Sequence, residues 1–236
     1  MSSSRIDQRM GWSSNIDRLN TAALALLCGS LLVGLSGCEV RHHARVRVTA
    51  VVERGGVQYS ASGVQEFDCR ESTHIMNDLP ECQSFGEALV VDMKGHSPMF
   101  ILLRKASDSD GAAEAILGAA SSDLYSADNA NLPDHWQLGP AELPTIVRFT
   151  SLNDPLSVSE VNPQDLSPDF GVGTRFVSFD VQKTDDPITY GVVSKLIPWI
   201  NNREDPFYLG PKKYSGPISP AAQQLSKYDF VSMGAK

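Results

Sequence analysis

No uncharged apolar stretch in these 236 residues reaches the about 20 that a membrane-spanning helix needs. The longest, residues 21–35 ("TAALALLCGSLLVGL"), has fifteen and is interrupted by Gly29, Ser30 and Gly34. Positive charge is scarce too. Lys212-Lys213 is the largest Lys/Arg cluster and the formal net charge is −8, which leaves no basic stripe for a nucleic acid. There are four cysteines, so no dense disulfide framework is predicted. Local catalytic signatures are missing as well. The chain holds no GxSxG, HExxH, GxxxxGK[ST] or GxGxxG. Repeats of 20–50 residues are absent, which excludes solenoids and propellers.

What is present is an address. Residues 1–20 are polar and carry Arg5, Arg9 and Arg18 against Asp7 and Asp17. The fifteen-residue run that follows sits at the top of the about 7–15 residues typical of a secretory h-region. It ends at Leu35-Ser36-Gly37-Cys38. That quartet resembles the lipobox of bacterial lipoproteins: a branched apolar residue, two small residues that let the backbone extend into a protease cleft, then a cysteine. The resemblance implies cleavage before Cys38 and acylation of its thiol and new amino terminus, and two or more chains suffice for stable anchoring. It divides the chain into a signal peptide (1–37), an anchor and short tether (38–43) and a single exported domain (44–236). The alternative is an uncleaved N-terminal membrane helix carrying the same domain. Glu39 stands where aspartate is the familiar inner-membrane retention signal, so the resemblance favours the outer membrane.

Cysteine arithmetic follows from that address. Cys28 leaves with the signal and Cys38 is acylated, so Cys69 and Cys82 are the two thiols left in an oxidising compartment. They are expected to form a disulfide, which closes a short loop worth about 3 kcal/mol in the chain-entropy model. A metal site from Cys69, His74 and Cys82 competes with this reading but lacks CxxC spacing. From Cys38 onward the charge is −9, from 17 basic and 26 acidic side chains.

The exported part reads as a β-dominated α+β domain, with antiparallel hairpins forming a sandwich-like sheet core and a few short helices. Val46 and Val48 alternate with Arg45, Arg47 and Thr49, giving a strand with one wet face. Gly55-Gly56 is a two-residue hairpin turn, and a return strand is expected from Val57 to about Phe67, broken at 60–63. Residues 69–82 read as a polar loop. "ALVV" and "MFILL" flank the turn "KGHSP" and are near-continuously apolar, which predicts strands buried on both faces. "SDSDGAAEAILGAA" predicts a short helix with an aspartate N-cap. "TIVRFT" and residues 156–161 form a third strand pair around the turn "NDP". "NPQDLSPDFG" predicts one helical turn capped by Asn162, with Pro163 at its first position. "TRFVSFDVQ" alternates as a half-buried strand with Val177, Phe179 and Val181 on one side. "YGVVSKLIPWI" predicts a short helix ended by Pro198, and "LSKYDF" a docking segment near the C-terminus.

Four stretches, "ARVRVTAVVE", "GEALVVDMKG", "LPTIVRFTSLNDPLSVSEVNPQDL" and "KTDDPITYGVVSKLIPWI", occur in an order similar to that of a family of uncharacterised membrane-anchored proteobacterial proteins. The resemblance spans most of residues 44–200 and consists of turn and core patterns. It implies a membrane-anchored domain and carries no site residue. Several members begin with a plain membrane helix, which keeps that alternative anchor open. The Cys69–Cys82 loop looks like an addition to the family pattern.

The remaining chemistry is sparse. His42 and His43 are adjacent, so on a strand they face opposite ways and cannot chelate together. "DSDG" at 108–111 lacks the later ligands of a calcium loop, and helix capping accounts for it. The paired carboxylates in "TDDP" (184–187) read as a solvated turn. Trp136, Trp199 and Tyr190 are expected in the core rather than lining a groove. Two function classes remain. One is a non-catalytic envelope interaction domain, its partners the membrane through the anchor and another envelope protein, with no cofactor and no metal. The other is an exported hydrolase whose site is assembled from distant residues.

Overall fold

Strand periodicity explains the long first hairpin. In a computed structural model, which describes residues 40–71, 79–105, 111–202, 209 and 219–232, β1 (Arg41–Arg54) buries Ala44, Val46, Val48, Ala50 and Val52 on one face. Gly55 (φ 56°) and Gly56 (φ 79°) supply the two left-handed residues that a tight hairpin turn demands. The chain then returns as β2 (Val57–Arg70), paired with β1 along its whole length. The expected break at 60–63 does not occur. Ser60 and Ser62 face solvent, while the small inward positions Ala61 and Gly63 let a neighbouring segment approach closely. A Cβ on Gly63 would already touch Leu89 at 3.5 Å.

Three further strands complete the first sheet: β3 (Glu81–Phe85), β6 (His135–Gln137) and β9 (Arg175–Lys183). The order is β3-β2-β1-β9-β6, antiparallel throughout. A second antiparallel sheet has the order β4 (Leu89–Val91), β5 (Met99–Ile101), β7 (Ile146–Phe149), β8 (Val158–Glu160). Every residue of β4 and β5 is buried, as their continuous apolar runs predict. Each such side chain contributes about 2 kcal/mol of transfer free energy.

The second sheet is the middle layer. One of its faces, with Leu89, Val91, Met99 and Ile101, packs on the inner face of β1 and β2 and on α1 (Gly111–Ile116). Its other face, with Val90, Phe100, Val147 and Phe149, is covered by α3 (Val192–Leu196), the 3-10 turn Pro198–Asn202, α4 (Pro220–Gln224) and Phe230. Phe100, Phe149 and Phe230 meet with ring centroids 5.4–6.0 Å apart, and Trp199 meets Phe149 edge-on at 5.8 Å. The described residues thus form a β-dominated α+β fold of two stacked sheets and short helices, as the sequence predicts.

Two local expectations are corrected. In β9 a bulge falls at Val177: Ser178 lies opposite Val51 and Phe176 opposite Val52. The extra residue moves Phe176 to the side of Phe179 and Val181 and leaves Val177 exposed. At Asn162 the side chain accepts from the amide of Gln164 in a turn, and the helix begins later, as α2 (Ser167–Phe170), with Leu166 rather than Asn162 at its N-cap. Pro198 does stop α3, and it also opens the 3-10 turn behind it.

Candidate functional site

The first site candidate lies where β1 begins and β2 ends. Inward-facing Cys69 is wholly buried, and its partner across the ladder is Cys82 on β3. Their Cα atoms are 4.1 Å apart and a disulfide joins them. Both cysteines therefore sit in strands, not in the polar loop the sequence suggests, because β3 pairs directly with the end of β2. Residues 72–78, including His74, lie outside the described residues, as does Cys38.

Outward from this disulfide the same strand ends carry charge of both signs. Arg41 meets Asp68 at 3.3 Å and Arg70 meets Glu81 at 2.9 Å. Together with Gln83 they line an open groove of about 180 Å³. Farther along the face, Arg45 Nε donates to Glu66 at 2.8 Å, and Arg47 pairs with Asp186. Cross-strand pairs of opposite charge are the sheet's own stabilising unit, each worth about 0.2–1 kcal/mol.

His42, on the buried side of β1, stands between two carboxylates. Its Nδ1 is 3.2 Å from Asp128 and its Nε2 3.2 Å from Glu71. The carboxylates lie on opposite ring nitrogens, so the three groups do not converge on one point as metal ligands would. The His42 hydrogen bond holds Asp128's carboxyl below the ordinary range against the cost of its burial, and the amides of Ala130 and Asn131 assist. His43 faces outward, 3.9 Å from Asp68. Asn129 ties the Asp128 loop to β1, since its amide donates to His43's carbonyl and its Oδ1 accepts from Arg45's amide.

A second candidate lies at the other side of the middle sheet, around Glu87. This carboxylate is buried and accepts from the amides of Gly191, Val192 and Val193 at 2.8–3.2 Å. The start of α3 has no side-chain cap of its own, so Glu87 satisfies donors that would otherwise be orphaned. Beside it, Ser232 accepts from the amide of Gly86 and lies 3.3 Å from the Tyr190 hydroxyl. An open groove of about 520 Å³ runs over Glu87, Tyr190, Ser194, Asn201 and Lys227. A hydrolase built here would need a base near a hydroxyl. Glu87 is engaged by backbone, and the histidine hydrogen bonds among the described residues run to carboxylates, as in His135–Asp180 at 3.3 Å.

The other sequence candidates are structural. Trp136 packs against the first core and donates to Ile116's carbonyl, and Trp199 donates to Leu152's. Tyr190, expected in the core, is instead 39% exposed and lines the groove. In "TDDP", Thr184 donates to Asp186, and that bond, with Arg47 beside it, lowers the Asp186 pKa. Residues 108–110 of "DSDG" lie outside the described residues. Sequence reading missed Glu87, the His42 bracket and the Arg41–Glu81 groove. Alternation in β1 places Arg41 outward, but its partners follow only from strand register. No helix among the described residues is long and apolar enough to cross a membrane. No protein-family model, no curated protein and no solved structure matches the chain.

Proposed function

We propose that the chain is an exported envelope protein held to a bacterial membrane through acylated Cys38, and that residues 44–236 form a non-catalytic interaction module. One observation supports this most. The two thiols that signal removal and acylation would leave are the two joined in a disulfide, a bond that persists in oxidising compartments. The lipobox-like Leu35-Ser36-Gly37-Cys38 at the end of an h-region supports the anchor. The tether is short, since β1 begins at Arg41, three residues past Cys38. An anchored module of this kind meets partners that are themselves at the membrane, and another envelope protein is the expected one.

Two measurements test this reading. Membrane fractionation should place the protein in the envelope, with the outer membrane expected from Glu39. Screening the purified chain against esterase, peptidase, glycosidase and phosphatase substrates, with and without divalent metals, should give no saturable turnover. An activity lost on mutating Tyr190 or Ser232 would replace the binding module with an exported enzyme.

A further inference from the structure

We propose that the end of the first sheet where β1 begins rests on the bilayer. Val40 and Leu79 enter the headgroup layer, and the Arg41–Asp68–Arg70–Glu81 groove faces zwitterionic headgroups. This deepens the anchored reading of Cys38 and rests on it.

The reach of the chain sets the position. Two peptide steps separate Cys38 from Val40, and an extended chain covers at most about 3.6 Å per residue, so Val40 lies within about 7 Å of the acylated residue. The headgroup layer on each side of a bilayer is itself about 5–7 Å deep. Whatever side chains share Val40's end of the sheet therefore meet lipid.

Register identifies them. Glu71's amide donates to Val40's carbonyl, Arg41 lies opposite Arg70, and Arg70 opposite Glu81. Leu79 is two residues before Glu81, at the same end. Val40 is 47% exposed and Leu79 80% exposed, two apolar side chains projecting where the chain comes from its anchor. The charges beside them have both signs. Guanidinium groups of Arg41 and Arg70 match a lipid phosphate, and the carboxylates of Asp68, Glu71 and Glu81 match a headgroup ammonium. This is unlike the run of Lys and Arg that draws a protein to anionic lipid. The ligand surface is thus one of phosphoethanolamine or phosphocholine type.

The orientation has a consequence at the other end. Fourteen residues of β1 at about 3.4 Å each carry the Gly55-Gly56 turn about 45 Å from the anchored end. Val57, 53% exposed, and Val172, 94% exposed, sit at that far end, where Arg54 donates to Phe170's carbonyl. The surface offered to a partner is this tip and the groove over Glu87, not the Arg41 end.

The full chain tests the proposal in vesicles of phosphatidylcholine and phosphatidylethanolamine that contain a headgroup-nitroxide lipid. A thiol-linked fluorophore is placed through Leu79→Cys or Val172→Cys, each in a Cys28→Ser background, with Val40→Cys as a second reporter of the anchored end. Quenching several-fold greater at position 79 or 40 than at 172, unchanged by added salt or by phosphatidylglycerol, is the expected result. Equal quenching at both ends, greater quenching at 172, or none at either overturns the orientation. Quenching that appears only with phosphatidylglycerol overturns the headgroup chemistry. The mass of the N-terminal peptide reads the anchor separately. Where that mass shows an unmodified Cys38, which would itself take the fluorophore, the labels are repeated in a Cys28→Ser, Cys38→Ser background; a 79-over-172 difference that persists there removes the lipid anchor and leaves the orientation standing on a membrane helix.

Discussion

Glu87 and Val192 are 105 residues apart in sequence, yet the Glu87 carboxylate accepts the Val192 amide at 2.8 Å. The same carboxylate also takes the amides of Gly191 and Val193, so one buried side chain fixes the start of α3 against the middle sheet. Glu87→Ala leaves three donors without that acceptor and is expected to cost about 3 kcal/mol or more, whereas Glu87→Gln keeps one acceptor and costs about 1–2. Urea denaturation monitored by tryptophan fluorescence checks both. Equal, small losses would show that solvent replaces the carboxylate.

The Cys69–Cys82 bridge closes a loop between residues thirteen apart. Removing it through a paired Cys69→Ser and Cys82→Ser change is expected to lower stability by about 3 kcal/mol in the chain-entropy model. In the native protein, free-thiol titration after unfolding without reductant should detect neither cysteine. Reaction of both would remove the main support for an oxidising compartment.

Acid sensitivity follows from two aspartates with opposite signs. Asp128 is held below its ordinary pKa in the fold, chiefly by His42, so its contribution is present above the unfolded value of 3.8 and is lost as pH falls through the lower folded value. Asp229 is pushed up by burial, against the Ser226 backbone and Arg104, so it favours folding below 3.8 and loses that contribution as pH rises through its folded value. Stability measured against pH should therefore show a shallower acid limb in Asp128→Asn. In Asp229→Asn the difference from the parent should become more favourable as pH rises from that region. Parallel curves for all three proteins would contradict the assignment.

Gly55 and Gly56 both need φ values that side chains avoid. No atom crowds a Cβ at either position, so the penalty is backbone conformation alone. Gly56→Val should cost about 1–2 kcal/mol, and Gly55→Asn much less, because asparagine tolerates the left-handed region. Thermal unfolding of the two variants separates them.

How far the sequence could be read depended on whether the deciding interaction was local. Gly55-Gly56 announces its turn because the constraint lies in two residues. "ALVV" and "MFILL" announce their double burial because no polar side appears in them. Val177 misleads, since the bulge that reverses its side is decided by pairing with β1 on a strand more than a hundred residues earlier. Asn162 has a cap-forming side chain, yet it closes a turn on Gln164 while the helix starts beyond Leu166. Counting thiols paired Cys69 with Cys82, but only the β2–β3 register showed them inside strands. Glu87 and His42 gave no signal, because each acts on partners brought near by other strands and loops.

Membrane attachment by lipid stands or falls with Cys38. Cells expressing the full chain, grown with labelled palmitate, should yield a labelled mature protein, and Cys38→Ala should abolish the label and leave the precursor unprocessed. Label retained in Cys38→Ala, or absent from the parent protein, would contradict the lipid anchor and favour an uncleaved N-terminal membrane helix in its place.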